Sequence, residues 1–422
     1  MAVRGTKRKV VLTFLDQGVS SGANFLLVVL VTRKTGFDGL GAFGFVLVVW
    51  MAALGIHRAI VAEPIVIATH SGRPDARVLE CGFSAEVYLG LGFGLVMAAG
   101  SVVAMAMGKQ LIARTLVVLA LVLVPLLVQD LWRFMAFFEG RPDRALANDL
   151  VFAGAQIVLT VLVIASGHAS TPLFVAAWGL GAVAGAAFGF VQFRVRPRLW
   201  SGRRQIAEHW NFSRWMLADF GTSFTMDNVY PLMVFGLLGQ TRYGVLSGVI
   251  KLMGPAAVIL QSGGNLGVPG ASRAFREHAV PGLTRFSRLL TAGVAASMAA
   301  YVVVVFVAGS WLLRTVYNQP TAAGYGGLIR LVGAGYVLWS LAFGALISLR
   351  VVQQTRALWT ARLVVSAISL CSAFVLVRRY GLDGAGWAAV ITAVAGVAAV
   401  LRVWSAARRR IATSAPLAAA VR

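Results

Sequence analysis

Twelve runs of about twenty mostly apolar residues, the first at 10–31 and the last at 385–404, leave this chain few ways to fold. A bilayer core offers no water to backbone N–H and C=O groups, so a spanning segment must pair them internally, as a helix or within a closed barrel. A barrel needs polar and apolar positions to alternate over strands of roughly ten residues. These runs are instead continuous in Leu, Val and Ala, at 10–31, 41–67, 85–107, 112–135, 147–166, 172–193, 213–238, 243–267, 287–309, 326–349, 359–377 and 385–404. Twelve transmembrane helices follow, and the first run, too long for a signal peptide and lacking a small-residue cleavage site, is expected to be retained. The mean hydropathy of +0.80 agrees.

The net charge of +23 has to be placed before it is interpreted. With the amino terminus inside, one side of the membrane collects Arg4, Lys7, Arg8 and Lys9, the group Arg194, Arg196, Arg198, Arg203 and Arg204, the group Arg273, Arg276, Arg285 and Arg288, and the tail Arg408, Arg409 and Arg410. The positive-inside rule makes that side the cytoplasm, which puts both termini there and the protein in the inner (plasma) membrane. Topology and attraction to anionic membrane lipids account for the charge without nucleic acid. Cys81 and Cys371 abut or lie in apolar runs, and His57, His70, His168, His209 and His278 share no ligand spacing, so neither disulfides nor a metal are expected. The chain also lacks a Walker A signature, so no ATP and no cofactor are expected.

The basic stretch at 194–215 divides the chain near its middle, and the halves repeat one another. Asp16-Gln17-Gly18-Val19-Ser20 is matched by Asp219-Phe220-Gly221-Thr222-Ser223 at an offset of 203, which also sets Asn24 opposite Asp227. Phe43-Gly44 answers Tyr243-Gly244, Pro64 answers Pro269, and Asp143-Arg144-Ala145-Leu146 answers Thr355-Arg356-Ala357-Leu358. Six spans per half is an even number, so both halves enter the membrane in the same direction and a pseudo-two-fold axis should run along its normal. The expected architecture is two six-helix lobes in a V around a central cavity. Residues 1–200 form the first lobe, 201–212 a cytoplasmic linker, 213–404 the second lobe and 405–422 a basic tail.

Ionisable side chains in spans cost about 2.5–3.5 kcal/mol each on insertion scales and usually face a partner, a bundle interior or water. Asp16, Ser20 and Asn24 recur every four residues, as do Asp219, Ser223 and Asp227, which suggests two polar stripes lining the cavity. In GIHRAIVAEP, Arg58 lies near the midplane, and Lys251 is similarly deep in the second helix of the other half. Arg330 lies a turn or two inside the tenth span. Two cations facing a cavity would favour an anionic group, Arg in particular gripping phosphate with two hydrogen bonds. The alternative is static pairing, of Arg58 with Glu63 or Asp16 and of Lys251 with Asp227. His57 reads as a satisfied core histidine. Asp130, Arg133, Arg141 and Arg144, placed near the cytoplasmic interface, either gather a headgroup or anchor the loop.

The stretches LDQGVSSGANFLLVVLVTRKTGFDGLGAFGF, LGIHRAIVAEP and DLWRFMAFFEGRPDRALANDL resemble the polysaccharide-export and O-antigen flippase branch of the multidrug/oligosaccharidyl-lipid/polysaccharide exporter superfamily, in its actinobacterial form. The resemblance implies lobes that alternately open the cavity and move a polyprenyl-phosphate-linked saccharide outward, with envelope glycosyltransferases as partners. It gives Arg58 and Lys251 the phosphate, with Asn24, Arg133 and Arg330 completing the substrate-binding set. Asp16 is the nearest match to the acidic residue that binds a coupling ion, H+ or Na+, and Asp219, Asp227 and Glu63 are the other carboxylates for that role. The two extra carboxy-terminal helices of lipid II flippases are missing, which argues against lipid II as cargo. An ion-coupled multidrug antiporter is the second reading, although deep cations disfavour it. A membrane glycosyltransferase or polymer ligase would want acidic or His residues on a large external loop, whereas the 310–325 connection carries only Arg314. A non-enzymatic transporter is therefore expected.

Overall fold

The computed structural model describes the backbone of residues 2–69, 76–196, 199 and 202–419. Side chains outside the described set are those of residues 2–10, 67–68, 203, 205, 226–227, 265–266, 320, 322–323, 355 and 412–419. The described residues form α-helices, with one π-helical and one 3-10 segment and no strand. In order these are α1 (Ala2–His57), the π segment Arg58–Ala62, α2 (Glu63–Ala68), α3 (Ala76–Ala106), α4 (Gln110–Phe138), α5 (Pro142–Ala165), α6 (Thr171–Phe193) and α7 (Gly202–Leu238). There follow α8 (Gln240–Leu252), α9 (Gly254–Tyr317), the 3-10 segment Pro320–Tyr325, α10 (Gly326–Ser340), α11 (Phe343–Val351) and α12 (Thr355–Ala419).

Three of these helices, of 56, 64 and 65 residues, are long enough to cross a bilayer twice, and each has a non-helical break: α1 at Gly36, α9 at His278–Ala279 and α12 at Gly381. Divided there, and with α8 running through a bend at Met253 into the first part of α9 and the bent pair α10–α11 taken as one, the chain has the twelve expected segments. Gly36 has φ 71 and ψ −172, and Gly239, between α7 and α8, has φ 86 and ψ 177. They are separated by the same 203 residues as the sequence repeat, so the first helical hairpin of each half turns through one backbone geometry. Only glycine adopts that region without strain. Either Gly36→Ala or Gly239→Ala is expected to lower stability by about 1–3 kcal/mol, read as an earlier thermal transition in detergent, and an unchanged transition would refute the shared turn.

By packing, the chain divides into Met1–Asn228 and Val229–Arg422, each with its own core. In the first unit, α4 packs against α1, α3, α5 and α6. Leu119, Leu123, Leu127, Leu131 and Met135, at four-residue spacing, form its fully buried apolar stripe. On α6, Gly185 and Gly189 bring the backbone against Gln129 and the Trp132 ring of α4, the small-residue packing common in membranes. The outer face of α3 exposes Leu91, Leu95 and Val102, as a lipid-facing surface would. The second unit is organised by α10 and α11 against α9 and α12, around Leu283, Val294, Phe343, Ile347 and Trp404. The segment expected as a linker, 201–212, is helical from Gly202, whose N–H donates to Ser84 Oγ at 3.0 Å, so the start of α7 belongs with the first unit.

Helices also begin or end beyond their apolar windows. The run expected at 85–107 starts at Ala76, that at 112–135 ends at Phe138, and that at 147–166 starts at Pro142. Polar flanks expected at the interface thus lie up to three turns inside a helix.

Candidate functional site

Polar side chains within these helices assemble a buried charge network in the first unit. Pro64, in the first turn of α2, cannot donate to the carbonyl four residues back and its ring crowds that position, so the preceding turn widens into the π segment and the Glu63 N–H bonds Arg58 O. At the start of that segment, the Arg58 guanidinium clamps Asp130 of α4 with two hydrogen bonds, Nε to Oδ2 at 2.9 Å and Nη2 to Oδ1 at 2.7 Å. His57, fully buried, sets Nε2 3.3 Å from Asp130 Oδ2 and Nδ1 against Glu86 of α3. One turn along α4, Arg133 Nη2 donates to Asp16 Oδ2 at 2.7 Å, and its Nε lies 3.0 Å from Asp149 Oδ2 of α5. Gln129 Nε2 donates to Asp149 Oδ1 at 3.0 Å and to Asn148 Oδ1 at 3.1 Å, and Asn148 Nδ2 donates to Gly185 O.

Four carboxylates, Asp16, Glu86, Asp130 and Asp149, therefore meet two guanidiniums and one imidazole. Even with His57 counted as a cation, the set carries one excess negative charge. Asp16 Oδ1 and Glu86 Oε2 are buried and accept no hydrogen bond within the protein, so the acceptors for one further positive charge are present. Half-buried Glu63 adds to the excess, lying within electrostatic reach of Arg58 and Asp219. Uncompensated charge in low dielectric costs several kcal/mol, which a bound proton or monovalent cation would relieve. Among the described residues no group of three His, Cys, Asp or Glu could hold a metal ion.

This arrangement corrects several expectations. Arg58 pairs with Asp130, and Asp16 with Arg133, in place of Glu63 or Asp16 for Arg58. Asp130 and Arg133 pair inside the helix bundle, whereas Arg141 and Arg144 serve the loop, bonding Asp143 and Glu139. The Asp16 stripe does not stay on one face: Asp16 is buried whereas Asn24 is exposed, because eight residues at 100° each leave a rotation of about 80°. Asp219 is exposed and the side chain of Asp227 lies outside the described residues, so its pairing with Lys251 cannot be described. Lys251 is exposed on α8 with no ion-pair partner among the described residues. Arg330 is exposed, its guanidinium 4.9 Å from the centre of the Phe306 ring. His57 occupies the core with both ring nitrogens facing carboxylates. Glu86, Asn148 and Asp149 were not anticipated. They lie at the start of the apolar runs at 85–107 and 147–166, so their signal was an ionisable or amide side chain inside a span.

Comparison with solved structures fits this frame. An inward-facing multidrug resistance MATE family transporter of the MOP superfamily matches with a TM-score of 0.75 at 14% identity, over 96% of this chain and 98% of that one. The chain has the MOP transporter fold. The lipid II flippase MurJ in an inward closed conformation matches with a TM-score of 0.70 at 11% identity, over 96% and 91%. A MOP superfamily transporter from Pyrococcus furiosus, described as having reverse polarity of its binding pocket, matches at 0.61 and 14% identity, over 97% and 95%. No protein-family model matches the sequence, and no curated protein sequence does either. These neighbours include two multidrug resistance transporters, one inward-facing and one outward-facing, and a flippase in an inward closed state.

Proposed function

We propose that this chain is an ion-coupled transporter that moves a polyprenyl-phosphate-linked saccharide across the plasma membrane for envelope polysaccharide synthesis. The observation that carries the coupling is the excess carboxylate charge around Arg58 and Arg133, buried in the first unit. A proton or Na+ taken up there neutralises the set, and its release restores the repulsion, so occupancy can bias a two-state equilibrium between inward- and outward-open forms. Asp16 and Glu86 are the acceptors, and Glu63, Asp219 and Asp227 extend the acidic set.

For the cargo, Lys251 supports the phosphate reading, being a bare ammonium on a membrane-spanning segment. Arg58, with 37% of its side chain exposed beyond the Asp130 clamp, and exposed Arg330 are further donors, with Asn24 as a neutral one. Both termini in the cytoplasm follow from the charge distribution, and rocking of the two six-helix lobes would supply alternating access. The antiporter alternative is favoured by one observation, the excess carboxylate of the buried network in the first unit, and separates from the flippase by substrate.

The test is a reconstituted assay with a fluorescent polyprenyl-phosphate saccharide and, in parallel, a cationic dye. Lys251→Gln is expected to slow saccharide movement about tenfold, the worth of one charge-assisted hydrogen bond. Transport of the dye and not the saccharide would replace the flippase with the antiporter, and saccharide movement insensitive to Lys251→Gln would remove Lys251 from the phosphate grip.

A further inference from the structure

The second unit contains a cleft of about 580 Å³ that the proposed transport does not use. Its walls are the turn after the His278–Ala279 break in α9 and the last part of α12. Arg285 and Arg288 project from one side, Arg408 and Arg409 from the other, and Val280, Pro281, Thr284 and Leu289 complete it. No carboxylate lines it. Arg285, Arg288 and Arg408 form no ion pair among the described residues, and the Thr284 hydroxyl is turned onto its own helix, donating to Val280 O at 2.8 Å. Three guanidiniums without an ion pair, those of Arg285, Arg288 and Arg408, repel each other around one opening, so the cleft is most stable with an anion between them. Guanidiniums bind phosphate oxygens with paired hydrogen bonds, and the volume lies within the roughly 300–1,000 Å³ of small-molecule sites.

The position of the cleft selects among anions. Arg285 and Arg288 flank the first residue of the apolar run at 287–309, and Arg408 and Arg409 follow the run at 385–404 by one turn, so the cleft sits where two adjacent segments leave the hydrocarbon. Its wall also carries apolar surface at the same level: Leu289 is 65% exposed. A soluble polyanion has no use for that surface, whereas a phospholipid places phosphate and acyl chain side by side. We infer that this cleft is a binding site for the headgroup of an anionic membrane phospholipid, its phosphate held by Arg285, Arg288 and Arg408 and its acyl chains lying along Val280, Pro281 and Leu289. Such a lipid bridges α9 and α12 and ties the end of the chain to the second unit.

The test uses the full-length protein in nanodiscs of phosphatidylcholine with or without cardiolipin. It is followed by detergent extraction and native mass spectrometry of the retained lipid. Wild type should retain cardiolipin and lose phosphatidylcholine, and cardiolipin should raise the thermal transition. Arg285→Gln/Arg288→Gln should retain at least about tenfold less, since each lost charge-assisted contact is worth about that factor. Both residues are exposed, so the variant is expected to fold. Arg378→Gln/Arg379→Gln, which removes the same charge elsewhere in the same unit, should retain cardiolipin like wild type. Equal retention by wild type and the Arg285/Arg288 variant, or equal loss in the Arg378/Arg379 variant, would overturn the site. So would inorganic phosphate alone raising the transition as much as cardiolipin does. None of these readouts involves the transported cargo, so the site stands or falls separately from the flippase reading.

Discussion

Arg133→Ala is expected to be among the most damaging single substitutions in this protein, lowering stability by about 3–5 kcal/mol. Arg133 is the only cation in ion-pair contact with Asp16 and Asp149 among the described residues, and both carboxylates are almost wholly buried. Removing the guanidinium leaves two charges in the helix bundle with no cation, and the 5.4 Å contact of Arg133 with the Phe137 ring is lost as well. Thermal unfolding in detergent measures the loss, and adding Asp16→Asn to Arg133→Ala should recover part of it by removing one stranded charge. The Arg204–Glu208 pair is the control. Its geometry is as short, 2.7 Å, but its side chains are 85% and 54% exposed, so Arg204→Ala should cost no more than about 0.5 kcal/mol. If both substitutions shifted the transition alike, burial would not be what gives the Arg133 pairs their weight.

Glu86→Gln should act in the opposite sense on stability and transport. It removes the excess negative charge while keeping the shape of the side chain beside His57, and Glu86 Oε2 has no donor to lose. Stability should therefore hold or rise. Gradient-driven accumulation should fall about 5- to 150-fold, the span of a coupling free energy of roughly 1–3 kcal/mol, while downhill exchange persists. Proteoliposomes with an imposed proton or sodium gradient separate the two. A Glu86→Gln protein that still concentrates substrate would show that Glu86 is not the coupling acceptor, and loss of accumulation in Asp16→Asn would then assign that role to Asp16.

Much of the architecture was legible in the chain because it follows from averages. A run of some twenty apolar residues must be helical in a bilayer whatever its neighbours, and the 203-residue repeat pointed to paired hairpins whose turns, at Gly36 and Gly239, share a conformation open to glycine. That Asp16 would be costly in its helix was equally evident, since carboxylates are rare in such segments. The pairing of each charge was not legible. Arg58 meets Asp130 across 72 residues and Arg133 meets Asp16 across 117, choices set by how α1, α3, α4 and α5 rotate and slide against one another. Glu86 and Asp149 lie inside the runs at 85–107 and 147–166, but the average hydropathy of a run does not say which partner a single carboxylate in it meets. The sequence determined which segments must enter the membrane, because burying an unpaired backbone is prohibitive there. Tertiary structure decided which charges neutralise each other, because an ion pair depends on ångström-scale distances between helices that no stretch of sequence contains.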